Sequence, residues 1–309
     1  MTSRSIQAPG AVVVIRPHRF QPNPDTASDN VFQRTDANRT IRQTAEDAYQ
    51  EVSDAARELE KQGVRVHIFE DRGEKETPDS VFPNNWFSTH PGGHIAVFPM
   101  YSPSRRRERR YDILEMLKAE YRVQDIIDYS CLEYDDLFLE GTGAMVLDHI
   151  DRVAYTARSN RADAIALERF CTHFNFEPMA FDAQDSHARA VYHTNVMMCI
   201  GTDFALVGFE MISDKGRRNE IYTRLQGMGR NVIELSNQQI DEFSGNAIEL
   251  FTGTQRILAI STRGAAALSQ QQKNIIEKSA RIVPLSVPTI ELAGGSVRCM
   301  LAGIHLSRR

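Results

Sequence analysis

The sequence holds no run approaching the ~18 consecutive apolar residues that span a bilayer, and its first ten residues lack the apolar core of a secretory signal. These absences leave the cytoplasm as the expected address. Cysteine is scarce: Cys131, Cys171, Cys199 and Cys299 lie far apart with no CxxC pair, which excludes a zinc ribbon or a disulfide framework. An excess of positive charge is missing as well. Lys and Arg number 36 against 41 Asp and Glu, a formal charge of −5, which argues against a nucleic-acid binder. No convincing set of metal ligands stands out, so neither a metal nor a cofactor is expected. What is present is ordinary globular composition, 41% hydrophobic and 25% charged over 309 residues, enough to bury a large core. Length alone suggests two domains of about 150 residues each.

An internal repeat changes that estimate. Five short apolar runs read as strands: Ala11 to Ile15, His94 to Phe98, Arg152 to Thr156, Phe204 to Gly208 and Arg256 to Ile260. Each is followed by a helical pattern, over residues 37–62, 105–120, 161–174, 215–228 and 266–280. The first has the clearest 3.6-residue period, with Ile41, Ala45, Ala48, Val52, Ala55 and Leu59 on one stripe and Gly63 placed to stop the helix. Second strands then follow at Val64 to Phe69, Val123 to Ile127, Phe176 to Ala180, Asn231 to Leu235 and Arg281 to Leu285. A third short segment closes each unit, and these segments are regularly spaced: Glu140 to His193, His193 to Asn246 and Asn246 to Cys299 are each 53 residues apart, and Asn85 to Glu140 is 55.

If equivalent positions converge on a pseudo-rotation axis, an acid, an imidazole, an amide and a thiol meet in space. The competing reading is a two-domain α/β chain with coincidental spacing. Cys299, which follows Gly294, Gly295 and Arg298, is the nucleophile candidate, because a tight turn allows close approach and Arg298 favours a thiolate if it turns inward. Cys171 on an apolar helix face and Cys199 within a strand read as packing. His193 is the acid/base candidate, since imidazole exchanges a proton near neutral pH, and Glu140 is placed to orient it.

Four segments carry a family resemblance: Asp79-Ser-Val-Phe-Pro-Asn-Asn-Trp86, Phe138-Leu-Glu-Gly-Thr-Gly143, Tyr192-His-Thr-Asn195 and Gly294-Gly-Ser-Val-Arg-Cys299. Together they resemble the signatures of the amidinotransferase and guanidine-hydrolase superfamily over residues 11 to 306. The Asp29 to Gln33 and Phe243 to Leu250 stretches are most similar to the bacterial citrulline-utilisation hydrolase type. The resemblance implies an α/β pentein fold, five ββαβ-like modules in a closed pseudo-fivefold propeller, with residues 1–10 as a tail and 11–309 as one catalytic domain. It also implies cofactor-free hydrolysis, in which Cys299 attacks a guanidino or ureido carbon and His193, oriented by Glu140, protonates the departing amine and then activates water.

Departures from the family pattern bear on the substrate. Carboxylates usual in arginine deiminases are replaced by Asn195 and by Asn85 or its neighbour Asn84. An amide offers a donor and an acceptor without charge, which suits a neutral ureido group and points to citrulline, converted to ornithine, ammonia and carbon dioxide. Asn246 joins these as a substrate-binding candidate. Arg158, by family match, is the candidate for holding a substrate carboxylate, with Arg19 behind it, whereas Arg105 to Arg110 reads as a solvated helix start. The Pro17 to Asn38 stretch is long enough to act as a lid. Met197 and Met198 read as core, and Trp86 as packing beside the site entrance. The partner expected is a small amino acid, with no nucleic acid and no membrane, and a homo-oligomer is left open. Rival readings are an arginine deiminase, a succinylarginine-type dihydrolase, an amidinotransferase, or a non-catalytic binding protein of the same fold.

Overall fold

The computed structural model describes residues 5–28, 30–36 and 38–309. Met1 to Arg4 of the expected tail, Asp29 of the resemblance segment and Ala37, where the first helix was expected to start, lie outside them. Part of that N-terminal stretch is packed, with Gln7 buried and donating to the Leu147 and Ile200 carbonyls at 3.0 Å.

Five three-stranded sheets share one plan. In the first, β1 (Ala11–Pro17) leads through α1 (Ile41–Gln62) to β2 (Arg65–Asp71). The second comprises β3 (Phe87–His90), β4 (His94–Val97), α2 (Pro103–Arg106), α3 (Tyr111–Glu120) and β5 (Asp125–Asp128). The third comprises α4 (Gly141–Ala144), β6 (Met145–Asp148), β7 (Val153–Ala157), α5 (Ala164–Phe174) and β8 (Glu177–Phe181). The fourth holds β9 (Met198–Ile200), β10 (Phe204–Val207), α6 (Lys215–Gly227) and β11 (Asn231–Glu234). The last holds α7 (Asn237–Asp241), β12 (Ile248–Phe251), β13 (Arg256–Ser261), α8 (Thr262–Ala267), α9 (Gln270–Ile276) and β14 (Arg281–Leu285). After it come α10 (Val297–Met300) and β15 (Ala302–Gly303).

In every sheet the middle strand pairs antiparallel on one side and parallel, across a helix, on the other. Expectation and structure differ in where a unit begins. The third segments open the following sheet rather than closing their own, and the last one, β15, pairs with β1 in the register Val12↔Gly303 and Val13↔Ala302. The two helices read as continuous over 105–120 and 266–280 are each broken in two.

Local sequence explains α1. Thr40 caps it in a capping box with Gln43, Gly63 ends it at φ 96°, and Ala45, Ala48, Val52, Ala55 and Leu59 are buried. Ile41, expected on the same stripe, is exposed. The middle strands are mostly apolar and buried because both faces are covered. Along β1, Val12 and Val14 join Leu250 and Ile257 of the fifth sheet, while Val13 and Ile15 join Phe87 and Ile95 of the second. Trp86 belongs to this second cluster and is fully buried against Phe87. Met197 and Met198 lie in the core formed by the third, fourth and fifth sheets. Adjacent sheets touch in chain order, β15 beside β3, α4 beside β3, β6 beside β9 and β9 beside β12, with α10 against β13.

Candidate active site

The equivalent segments at the inner starts of the sheets converge on one small cavity. Cys299 sits in the single turn of α10, after a left-handed Gly294 at φ 79°. A Cβ at Gly294 would collide with Asn30 Oδ1 at 2.3 Å, and one at Gly295 would meet the Phe82 ring at 2.7 Å. Both positions therefore need glycine for close packing around the thiol. Tyr192 Oη donates to the Gly294 carbonyl at 2.7 Å and pins the turn.

Glu140, just before α4, is fully buried. Its Oε2 lies 2.9 Å from His193 Nε2, 3.2 Å from Arg105 Nη1 and 3.5 Å from Arg161 Nη1, and its Oε1 accepts from the Tyr101 amide at 3.0 Å. Burial opposes its charge, but the two arginines and His193 outweigh that, and the carboxyl is held well below the usual range. Burial pushes the His193 imidazole down to about 4, against the opposing pull of Glu140. A neutral ring whose Nε2 donates to Glu140 leaves Nδ1 as a base. That nitrogen lies against Gly143, where a Cβ would come within 2.8 Å of it and 2.1 Å of the Asn85 side-chain amide.

The expected residues are largely brought together. His193, Cys299 and Asn85 line the cavity. Asn84 is fully buried behind Asn85. In the amide orientation that satisfies both neighbours, Asn85 donates to Asn84 Oδ1 at 3.2 Å and accepts from Arg105 Nη1 and Nη2 at 3.1 and 2.9 Å. Asn195 and Asn246 touch the thiol itself, each placing Nδ2 at 3.2 Å from Cys299 Sγ.

Three expectations need correction. Arg158 lies on the surface, paired with Asp182 at 3.3 Å, because β7 ends before it and the chain turns inward only at Arg161. Arg19 is also outside the cavity, its side chain lying against Gly73. Arg105 is not solvated: it is buried, bidentate to Glu108 at 2.9 and 3.1 Å, bonded to Glu140, and 3.7 Å from Asp79. Arg298 donates to the Leu301 carbonyl at 3.0 Å and lines a separate cavity beside Cys199, although its charge still couples to Cys299.

The sequence family decides the affiliation. A family model described as N,N dimethylarginine dimethylhydrolase, eukaryotic, matches residues 16–306. The chain belongs to the dimethylarginine dimethylhydrolase family. It is thus a hydrolase acting on linear C–N bonds. No curated protein sequence matches it. Among solved structures, it is similar to the N-terminal domain of ArgZ bound to substrate, an arginine dihydrolase from the ornithine–ammonia cycle in Cyanobacteria. That match has a TM-score of 0.72 and 15% identity, and covers 95% of this chain and 97% of that one. AgrE in its ternary complex with ornithine and NAD+ matches with a TM-score of 0.74 and 14% identity over 97% of this chain, which spans only 40% of that longer protein. A dimethylarginine dimethylaminohydrolase adduct with S-methyl-L-thiocitrulline matches with a TM-score of 0.61 and 13% identity, covering 97% and 99% of the two chains. These are pentein superfamily members, and at such identities the likeness is one of fold.

In this family member, several lining residues were missed by the sequence reading. Asp79 and Tyr192 stood inside the signature segments without an assigned role, and Arg161 lies three residues beyond Arg158. Arg105 and Glu108 were hidden in a charged run, where only burial separates a structural ion pair from a solvated face. Burial raises the Asp79 carboxyl and pushes that of Glu108 up to about 8, against the pull of Arg105. Of the Pro17 to Asn38 stretch, expected as a lid, Asn30 lines the cavity. Within the stretch, Asn30 Nδ2 donates to the Ala293 carbonyl at 2.8 Å, and Asn23 Nδ2 donates to Asp79 at 2.9 Å. About 10 Å³ of free space is left in this cavity, room for about one water. Among the described residues, no group of three or more His, Cys, Asp and Glu is arranged to hold a metal ion, and no helix is long and apolar enough to cross a membrane.

Proposed function

We propose that the protein hydrolyses a ureido C–N bond through a covalent adduct on Cys299, with citrulline as substrate and ornithine, ammonia and carbon dioxide as products. The observation that carries this reading is the pair of amides, Asn85 and Asn195, which stand in the site where the resemblance implies carboxylates for a guanidinium cation. His193 takes up the proton of Cys299, and the resulting thiolate sulfur bonds to the ureido carbon. The C–N bond to the ornithine side chain then breaks as His193 returns the proton to the departing amine. Water, deprotonated by His193 with Glu140 orienting the ring, attacks the S-carbamoyl adduct. The C–S bond breaks, the thiol is restored, and the released carbamate yields ammonia and carbon dioxide. A buried arginine of the cavity, Arg161, replaces Arg158 in our reading as the group that holds the substrate carboxylate. We also take residues 11–309 as one catalytic domain whose five sheets form a closed pseudo-fivefold propeller, located in the cytoplasm.

A second reading, a guanidino substrate such as arginine or a methylarginine, is favoured by the buried Asp79 carboxylate at the same cavity. Ammonia and carbon dioxide release from citrulline, arginine, methylarginine and N-succinylarginine, measured beside Cys299→Ala, separates the two. We expect carbon dioxide from citrulline and none from the variant. Turnover of arginine with citrulline inert would overturn the ureido assignment, and activity that survives Cys299→Ala would overturn the covalent route.

A further inference from the structure

Asn195 and Asn246 were expected to bind substrate, yet each places its amide nitrogen 3.2 Å from the sulfur of Cys299. All three side chains are buried. The orientation of Asn246 is over-determined: its Nδ2 also donates to the Asn195 carbonyl at 3.2 Å, and its Oδ1 accepts from the Arg298 amide at 3.0 Å. Both protons of that amide are thus committed, one to the sulfur and one to the backbone. Asn195 Nδ2 points to the same sulfur, while its Oδ1 has no hydrogen-bond partner among the described residues.

We propose that Asn195 and Asn246 form a two-amide cradle that stabilises negative charge on the Cys299 sulfur in the free enzyme, with Asn246 fully committed to the sulfur and the backbone and Asn195 also offering Oδ1 to a substrate N–H. Preorganised N–H donors aimed at an anion in a water-poor site lower its free energy without reorganisation at the moment of reaction, and hydrogen bonds to the charged form of a group favour that form. The other ionisable groups facing the thiol are His193, Asp79, Arg105, Arg161 and Tyr192 across the cavity, and Arg298 on its own helix. The cradle adds two neutral donors to this mixed set. In one respect the inference deepens the ureido reading and rests on it: a thiolate supported by the protein needs no cationic substrate to ionise it, so an uncharged ureido group can be attacked.

The test reads the thiol without substrate, so it stands apart from the identity of the substrate. Alkylation of Cys299 by iodoacetamide is followed across pH, with ultraviolet thiolate absorbance at neutral pH, in the parent, Asn246→Ala, Asn246→Asp, Asn195→Ala and Arg298→Gln. Circular dichroism and thermal melting establish that each variant is folded. Loss of one donor is expected to cut alkylation at neutral pH about tenfold, the worth of one hydrogen bond to a charged group. Asn246→Asp, which keeps the shape but sets a carboxylate against the sulfur, is expected to cost more. Folded Asn246 and Asn195 variants that alkylate like the parent, or a loss confined to Arg298→Gln, would overturn the cradle. Retained cradle behaviour with no turnover of citrulline would count against the ureido substrate alone.

Discussion

At the scale of single residues, the chemistry depends on how charges are compensated out of water. Glu140 carries its charge because His193, Arg105 and Arg161 all face it. Glu140→Gln is expected to leave the fold intact but lower kcat by about a hundredfold or more, the usual worth of an oriented acid/base group, with a smaller change in KM. Steady-state kinetics on the turned-over substrate check this. Arg105 bonds Glu108 twice, Glu140 once and Asn85 twice. Removing it strips buried Glu108 of its partner and Glu140 of one of the three groups facing it, so Arg105→Gln is expected to cost about 3–5 kcal/mol of stability, read from denaturant unfolding. By contrast, Cys171 and Cys199 are inert for a reason the structure supplies, since burial pushes both thiols up to about 12.

At the scale of elements, α1 is the best-specified helix, and its end shows how local and tertiary demands coincide. Gly63 adopts φ 96°, and a Cβ there would approach the Thr252 carbonyl oxygen at 2.6 Å. Gly63→Ala therefore meets a left-handed backbone and a steric clash with a neighbouring sheet. It is expected to lose more than about 1 kcal/mol, measured as a lower melting temperature with unchanged activity. The short elements behave differently. The turn α10 and the segments before α4 and β9 are too brief for sequence propensity to define, and they hold their shapes through hydrogen bonds to other modules, such as that from Asn246 to Asn195.

At the scale of the whole molecule, burial of ionisable groups makes stability depend on pH. His90 and His149 lie 6.1 Å apart, packed with Phe176, and burial holds both rings well below their ordinary value of 6.5. The unfolded chain therefore binds protons that the folded chain does not. Stability from these two groups is fully present above about pH 6.5 and falls as pH drops below it. The slope approaches about 1.4 kcal/mol per pH unit for each ring. His90→Phe, in a pocket already lined by Phe170, Phe174 and Phe176, is expected to flatten this decline. Melting temperatures recorded between about pH 5 and 7.5 check it.

How much of this was legible in the chain follows from the range of the forces involved. The 53-residue spacing of Glu140, His193, Asn246 and Cys299 announces the repeat, because each module obeys the same local pattern of strand, helix and strand. The apolar middle strands, the capped α1 and the glycines around Cys299 are equally local, so the sequence alone determined the modular α/β plan and the repeat positions His193, Asn246 and Cys299, but not Asp79, Arg105, Arg161 and Tyr192, which line the same cavity. The pairing of β15 with β1, the burial of Arg105 and the outward turn of Arg158 are not local properties. An arginine in a charged run and an arginine in an ion-pair core have the same spelling. Only the tertiary structure decided between them, because burial depends on which distant segments arrive, and in this site burial makes a charge either a surface ornament or part of the chemistry.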